Sequence, residues 1–291
     1  MVRHPRLMPD NPRMFRARVL DSRRLSSSFQ RVTIAGPELD DFDFRGHDHW
    51  FRLFLPAAGP DAAGPDAAGP DAAGAELRLP EVAGRSWWKS YLAIPEHSRP
   101  HCSNYTVAGF RGARDGASAE LDIDVVLHWE HGAMAGRVAI WAASARPGDP
   151  VALLDQGLLF DPPDDAGEVI LVADESGLPA VRGILRSLGG DVVGRAIVEV
   201  PDPGDVEELA APPGVSVRWL PRAGLGTPPG GAALAALAKA APPRPDGYAF
   251  VVGESALATG GRRLLHRAGL AKGRITFSGF WKDEHVPPAA P

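Results

Sequence analysis

Arg99-Pro-His-Cys-Ser-Asn-Tyr-Thr-Val-Ala108 is the stretch whose reading decides the fold. From Ser103 to Phe110 it has the β-branched and aromatic content of a strand. Working outward, the same signal recurs on both sides. Phe15 to Leu20 and Phe29 to Ile34 alternate apolar and polar residues, as half-buried strands do, and Gly36-Pro37 closes the second. Trp50 to Leu55 is a third strand, stopped by Pro56. Glu120 to Leu127 is another, with Leu121, Ile123 and Val125 facing one way and Asp122 and Asp124 the other. A short helix follows from Arg137 to Ala145, ended by the turn signal Pro147-Gly148-Asp149, and Val151 to Leu154 completes the set. These strands predict an antiparallel β-barrel with one helix over residues 1–160.

After the linker Asp161 to Gly167 the pattern changes. Val169 to Ala173 is a continuous apolar run, the mark of a parallel strand buried on both faces. Further strands are expected at Arg195–Val200, Val215–Leu220, Tyr248–Gly253 and Arg274–Phe280. Helices are expected at Leu178–Leu188, Gly230–Ala241 and Ser255–Ala268. Strand–helix alternation predicts a doubly wound parallel sheet over residues 161–291. Gly-Pro-Asp-Ala-Ala occurs three times between Gly59 and Ala73. It has no bulky side chain to offset the entropy of ordering, so residues 59–74 read as a mobile hairpin insertion.

Composition narrows the classes. The chain has 291 residues, 44% of them apolar, enough for two ordinary cores. A net charge of -5 gives no reason to expect nucleic acid or an anionic membrane as partner. The single cysteine, Cys102, excludes an internal disulfide and a cysteine-based metal centre. No run is long enough to span a bilayer, and the polar start lacks the apolar core of a signal peptide. A soluble cytoplasmic protein acting on a small molecule is the expectation.

The pieces, in order, resemble the siderophore-interacting protein family of flavin-dependent ferric-siderophore reductases. The resemblance rests on Val32 to Leu39, on Trp87 to Tyr91, and on Arg99-Pro100 leading into Asn104-Tyr105-Thr106-Val107. It continues with Glu120 to His128, Gly136 to Asp149, Ala173-Asp-Glu-Ser-Gly-Leu-Pro-Ala180, Val252-Gly-Glu254 and Ser278-Gly-Phe-Trp281. It implies a flavin-type barrel followed by a nicotinamide-binding domain. Electrons would pass from NAD(P)H through FAD to Fe(III) in a siderophore. Asn104, Tyr105, Thr106 and Val107 would form the flavin strand, with Tyr105 on the ring and Thr106 near it. Gly136 and Arg137 would open the phosphate-facing helix. Glu175 and Ser176 would border the nicotinamide, and Arg52 and Lys282 would attract the anionic iron chelate.

The chain departs from the family pattern Arg-x-Tyr-Thr-x-Arg at Ser103 and Ala108, and Ala139 stands where the family has a helix-start serine. A charge-assisted hydrogen bond contributes about 1.5–3 kcal/mol, so losing these partners predicts flavin binding weaker by about 4–6 kcal/mol if the terms add. A second reading therefore stays open: a derived, flavin-independent enzyme of cyclase or isomerase type, or a binder, using the same cleft. In that reading His128, Glu130 and His131, with His49, are the acid–base candidates. Neither His47-Asp48-His49 nor His128-Trp129-Glu130-His131 has established metal-ligand spacing, so no metal is expected. Cys102 reads as a half-buried thiol.

Overall fold

The computed structural model describes residues 7–9, 12–57 and 77–283; the repeat from Gly59 to Ala73 lies outside them. Eight strands come first: β1 (Met14–Arg24), β2 (Phe29–Ala35), β3 (Trp50–Leu55), β4 (His101–Arg111), β5 (Glu120–Val126), β6 (His128–Glu130), β7 (Ala133–Ala135) and β8 (Pro150–Gly157). Six of them close into an antiparallel barrel in the order β1-β2-β5-β4-β3-β8, while β6 and β7 pair as a separate hairpin. The period-two pattern supplies the interior: Val32 and Ile34 meet Phe51 and Leu53, Leu121 and Ile123, and Val151 and Leu153.

Two local elements escaped the sequence reading. The helix α1 (Trp87–Ala93) has no cap signal and forms because Trp87 is buried edge-on against Phe54, with ring centroids 6.0 Å apart. The segment read as a loop around Trp129 is the β6–β7 hairpin. The expected helix is α2 (Arg137–Ser144). The alternation in β5 holds, with a buried outer face. Asp122 and Asp124 do face away from the barrel interior, yet they are 5% and 4% exposed. Arg111 grips Asp122 through two bonds of 2.8 Å. Asp124 accepts from Arg31 at 2.7 and 2.9 Å and from Arg182 at 2.6 Å. That face is an interface, because the second half of the chain packs on it.

The second half is a five-stranded parallel sheet of β9 (Glu168–Ala173), β10 (Val193–Val200), β11 (Gly214–Pro221), β12 (Gly247–Glu254) and β13 (Ile275–Trp281), in the order β11-β10-β9-β12-β13. Its helices are α3 (Leu178–Ser187), α4 (Gly231–Ala238) and α5 (Ser255–Arg267). Successive residues of β9 enter opposite cores. Leu171 and Ala173 pack with Val181 and Ile184 of α3. Ile170 and Val172 pack with Leu237 of α4 and Leu257 of α5. This is why β9 reads as an unbroken apolar run.

The barrel and sheet dock through short contacts. Arg182 of α3 reaches Asp124, and Arg186 donates to the Ala108 carbonyl at 3.0 Å. Ser26 and Ser28 donate to Asp205 at 2.5 and 2.7 Å. At Gly183 the backbone of α3 meets the barrel loop directly: a Cβ there would stand 1.9 Å from the His47 carbonyl oxygen. Among the described residues no helix is long and apolar enough to cross a membrane.

Candidate functional site

A cleft of about 1540 Å³ runs between the barrel and the sheet. Trp50 and Arg52 of β3 and Ser103 to Thr106 of β4 form one wall; Ser176, Pro179 and the outer edge of β13 form the other. The antiparallel register sets Trp50 opposite Thr106 and Arg52 opposite Asn104. Three buried polar atoms on this wall have no hydrogen-bond partner among the described residues: Trp50 Nε1, Arg52 Nε and Ser103 Oγ. Buried polar groups are ordinarily paired, so an unpartnered set beside a cleft marks a wall with unused bonding capacity. The Arg52 guanidinium is stacked near the rings of Trp50, Trp87 and Trp88, with its carbon 5.8, 5.0 and 5.9 Å from their centroids.

Tyr105 packs its ring against the barrel core and lines the cleft, and burial holds its hydroxyl above the usual tyrosine range. Thr106 lines the cleft and is buried; Asn104 lines it and is exposed. Val107 is a core residue, 1% exposed, whose N–H donates to the His49 carbonyl.

At the opposite wall, Asp174 directly follows β9 and is fully buried. Its Oδ1 accepts from the Ser176 N–H at 2.9 Å and the Ser176 hydroxyl at 2.6 Å. Its Oδ2 accepts from the Glu254 N–H at 2.6 Å and the Trp281 indole at 3.1 Å. Gly253, at φ +128°, leaves room for this carboxylate, since a Cβ there would sit 2.5 Å from it. Burial, reinforced by the neighbouring Glu175 charge, pushes the Asp174 carboxyl up to about 7. Ser176 and Trp281 are thus set on the cleft wall by one hidden group. Glu175 is not on that wall: it is 2% exposed and forms a two-bond ion pair with Arg222 at 2.6 and 2.5 Å.

The other expected residues are dispersed. His128 lines the cleft, with its ring centroid 6.0 Å from that of Trp281, and crowding by the protein lowers its pKa. Glu130 and His131 are exposed at the far end of the hairpin, outside the cleft lining. Gly136 leads into α2 with no side-chain cap, and a Cβ on it would be 3.7 Å from the His128 ring. Arg137 donates to the Pro56 carbonyl at 2.7 Å. Lys282 is exposed, next to cleft-lining Trp281. His49 is held between Phe42 and Asp155, which it meets at 2.9 Å, and is a packed core group. Cys102 is pushed up to about 11 by burial. Among the described residues no three or more histidine, cysteine or acidic groups are placed to hold a metal.

The sequence reading missed Asp174, Trp50 and the cleft-lining role of Trp281. Asp174 and Trp281 could have been found, since each lies in a segment that carries the family resemblance. The three departures also separate in space. Ser103 borders the cleft. Ala108 and Ala139 are 2% and 3% exposed and do not line it.

Comparison with known proteins follows the same division. Residues 18–158 match the model of the siderophore-interacting FAD-binding domain, and residues 166–284 match that of the siderophore-interacting protein. The NADPH-dependent ferric-chelate reductase of Escherichia coli K12 is 30% identical over 221 residues, 75% of each chain. The chain belongs to the siderophore-interacting protein family. An uncharacterized protein of Mycobacterium tuberculosis is 38% identical over 135 residues, 46% of this chain and 45% of that relative, so the match spans just under half of its length. Among solved structures, a siderophore utilization protein from T. fusca superposes with a TM-score of 0.73 at 26% identity, covering 97% of each chain.

The FAD implied by this family can be tested against the donors present. The cleft offers the unpartnered Ser103 hydroxyl and Trp50 indole and the Arg52 guanidinium, and its His128 ring lies 3.7 Å from where a Cβ on Gly136, before α2, would stand. A guanidinium and hydroxyl and indole donors suit a phosphate, and aromatic rings suit a flat heterocycle. The donor set fits the group, with one hydroxyl where the family pattern has a guanidinium.

Proposed function

We propose that this chain is a flavin-dependent reductase that takes electrons from a nicotinamide dinucleotide and delivers them to the ferric ion of a siderophore. The observation that carries the reading is the single cleft on which Tyr105, Thr106, Ser176 and Trp281 converge from the two halves of the chain. FAD, when bound, accepts a hydride and releases electrons singly, which ferric reduction requires.

The chain's own groups supply binding and orientation. Tyr105 offers a ring flank held by the barrel core, and its hydroxyl stays neutral. Thr106, also on the cleft lining, would offer a hydroxyl to the cofactor. Ser103 and Trp50 would hold the cofactor's polar parts. Ser176 and Trp281, both fixed by Asp174, would border the nicotinamide. Arg52 would meet the anionic donor atoms of the iron chelate, with Lys282 as a second cation near the rim. His128 can hold a proton at a ring nitrogen on the cleft wall. Glu130 and His131 have no part in this scheme. The flavin-free alternative requires a cleft stripped of phosphate partners, whereas Arg52, the Ser103 hydroxyl and the Trp50 indole remain on its wall.

The test is the purified protein itself. Near-stoichiometric flavin absorbance, or uptake of added FAD, supports the reading, and Tyr105→Ala should weaken that uptake while the protein stays folded. Colourless protein that binds no added FAD would overturn it.

A further inference from the structure

The ends of the parallel strands carry an unusual charge balance. Open parallel sheets take dinucleotides outside the carboxyl ends of their strands, at the point where strand order reverses, here between β9 and β12. The adenosine ribose then falls near the end of the neighbouring strand, β10. An acidic side chain there suits a free 2′-hydroxyl, and an arginine suits a 2′-phosphate.

The connection after β10, residues 201–213, contains Asp202, Asp205, Glu207 and Glu208 and no lysine or arginine. Asp202 is half-exposed and caps its own turn through the Gly204 N–H at 2.8 Å. Asp205 is buried and engaged by Ser26 and Ser28, and Glu207 is paired with Arg182 at 2.5 Å. Glu208 is exposed. The connection after β11, residues 222–230, contains one charged residue, Arg222. Its backbone lies beside the end of β10, donating to the Val200 carbonyl at 2.9 Å.

That arginine is already committed. Its guanidinium bonds Glu175 at 2.6 and 2.5 Å and Glu199 at 3.1 Å. Glu199 is fully buried and also accepts from the Gly230 and Ala233 N–H groups at the start of α4. Turning Arg222 outward would leave two buried carboxylates without their cation, a strongly unfavourable change. Arg218 sits on β11 level with Ile197, about 10 Å below the strand end at a rise of about 3.3 Å per residue. The connection after β10 therefore carries carboxylates, and neither connection carries an uncommitted cation.

We propose that the nicotinamide donor of this chain is NADH, and that the acidic connection after β10, through Asp202 and Glu208, discriminates against the 2′-phosphate of NADPH. This rests on the reductase reading above. A phosphomonoester carries a charge of about -1.5 to -2 at neutral pH, and setting it against carboxylates is a repulsive device for specificity.

The test is equilibrium binding to the purified full chain, read by tryptophan quenching or calorimetry, with NADH, NADPH, 5′-AMP and 2′,5′-ADP as probes. NADH should bind at least about tenfold more tightly than NADPH, and 5′-AMP more tightly than 2′,5′-ADP. The double substitution Asp202→Asn with Glu208→Lys keeps the turn cap and should narrow the gap severalfold, chiefly by tightening NADPH. Equal or tighter binding of NADPH overturns this proposal and leaves the reductase reading standing. A gap that the double substitution does not change overturns the assignment to these two residues. Failure of both dinucleotides to bind overturns the reductase reading and this proposal together.

Discussion

The Asp174 carboxylate accepts the Trp281 indole N–H at 3.1 Å, joining the end of β9 to the end of β13 behind the cleft wall. With the carboxyl pushed up to about 7, this link titrates near neutrality. Trp281 emission, isolated as the difference between the parent protein and Trp281→Phe, should change with an apparent midpoint near 7. The change should vanish in Asp174→Asn. A flat difference signal from pH 5.5 to 8.5 would contradict the link.

The same group sets a stability slope. The folded pKa lies above the ordinary value of 3.8, so the folded state holds the proton more tightly. The contribution is complete below about pH 4 and is lost as pH rises to about 7. Asp174→Asn has no such proton, so its melting temperature should vary less with pH across that window. Thermal melts at half-unit intervals would show it.

Arg222 serves two buried acids at once, and its removal should be costly. Arg222→Ala leaves Glu175 and Glu199 without their cation, with an expected loss of about 3–5 kcal/mol in urea denaturation. Arg222→Lys should recover only part, because a single ammonium cannot reproduce the two-bond grip on Glu175.

Ser103 and Ala108 should respond differently to arginine. Ser103→Arg adds a guanidinium at the cleft and should tighten FAD about tenfold or more, by flavin fluorescence titration. Ala108→Arg forces a long cation into a site 2% exposed, and should cost stability without tightening FAD. Equal gains from both would mean that the buried position communicates with the cleft.

Much of the fold could be read from periodicity. The alternation in Val32 to Ile34 and Leu121 to Val125 is the barrel interior, and the apolar run at Val169 is a strand buried on both faces. The α1 helix was not legible, because Trp87 gains its stability from Phe54, which is distant in sequence. Nor was the burial of Asp124, whose partners Arg31 and Arg182 lie 93 and 58 residues away. Glu175 carries a local motif whose reading changes once Arg222, 47 residues on, takes both its oxygens. Local pattern reports which face a residue takes; it does not report which charges arrive there from other elements.

Gly183 has a bearing on how the cleft admits its ligand. Backbone against backbone, with room for no side chain between α3 and the His47 loop, is a contact that cannot slide without collision. Arg186 and Ser187, on the same helix, are bonded to the Ala108 carbonyl and the His47 N–H. The two halves of the chain are therefore braced at a fixed separation. Any side chain larger than hydrogen at position 183 would have to push α3 away from the His47 loop, and with it the wall of the cleft that α3 supports.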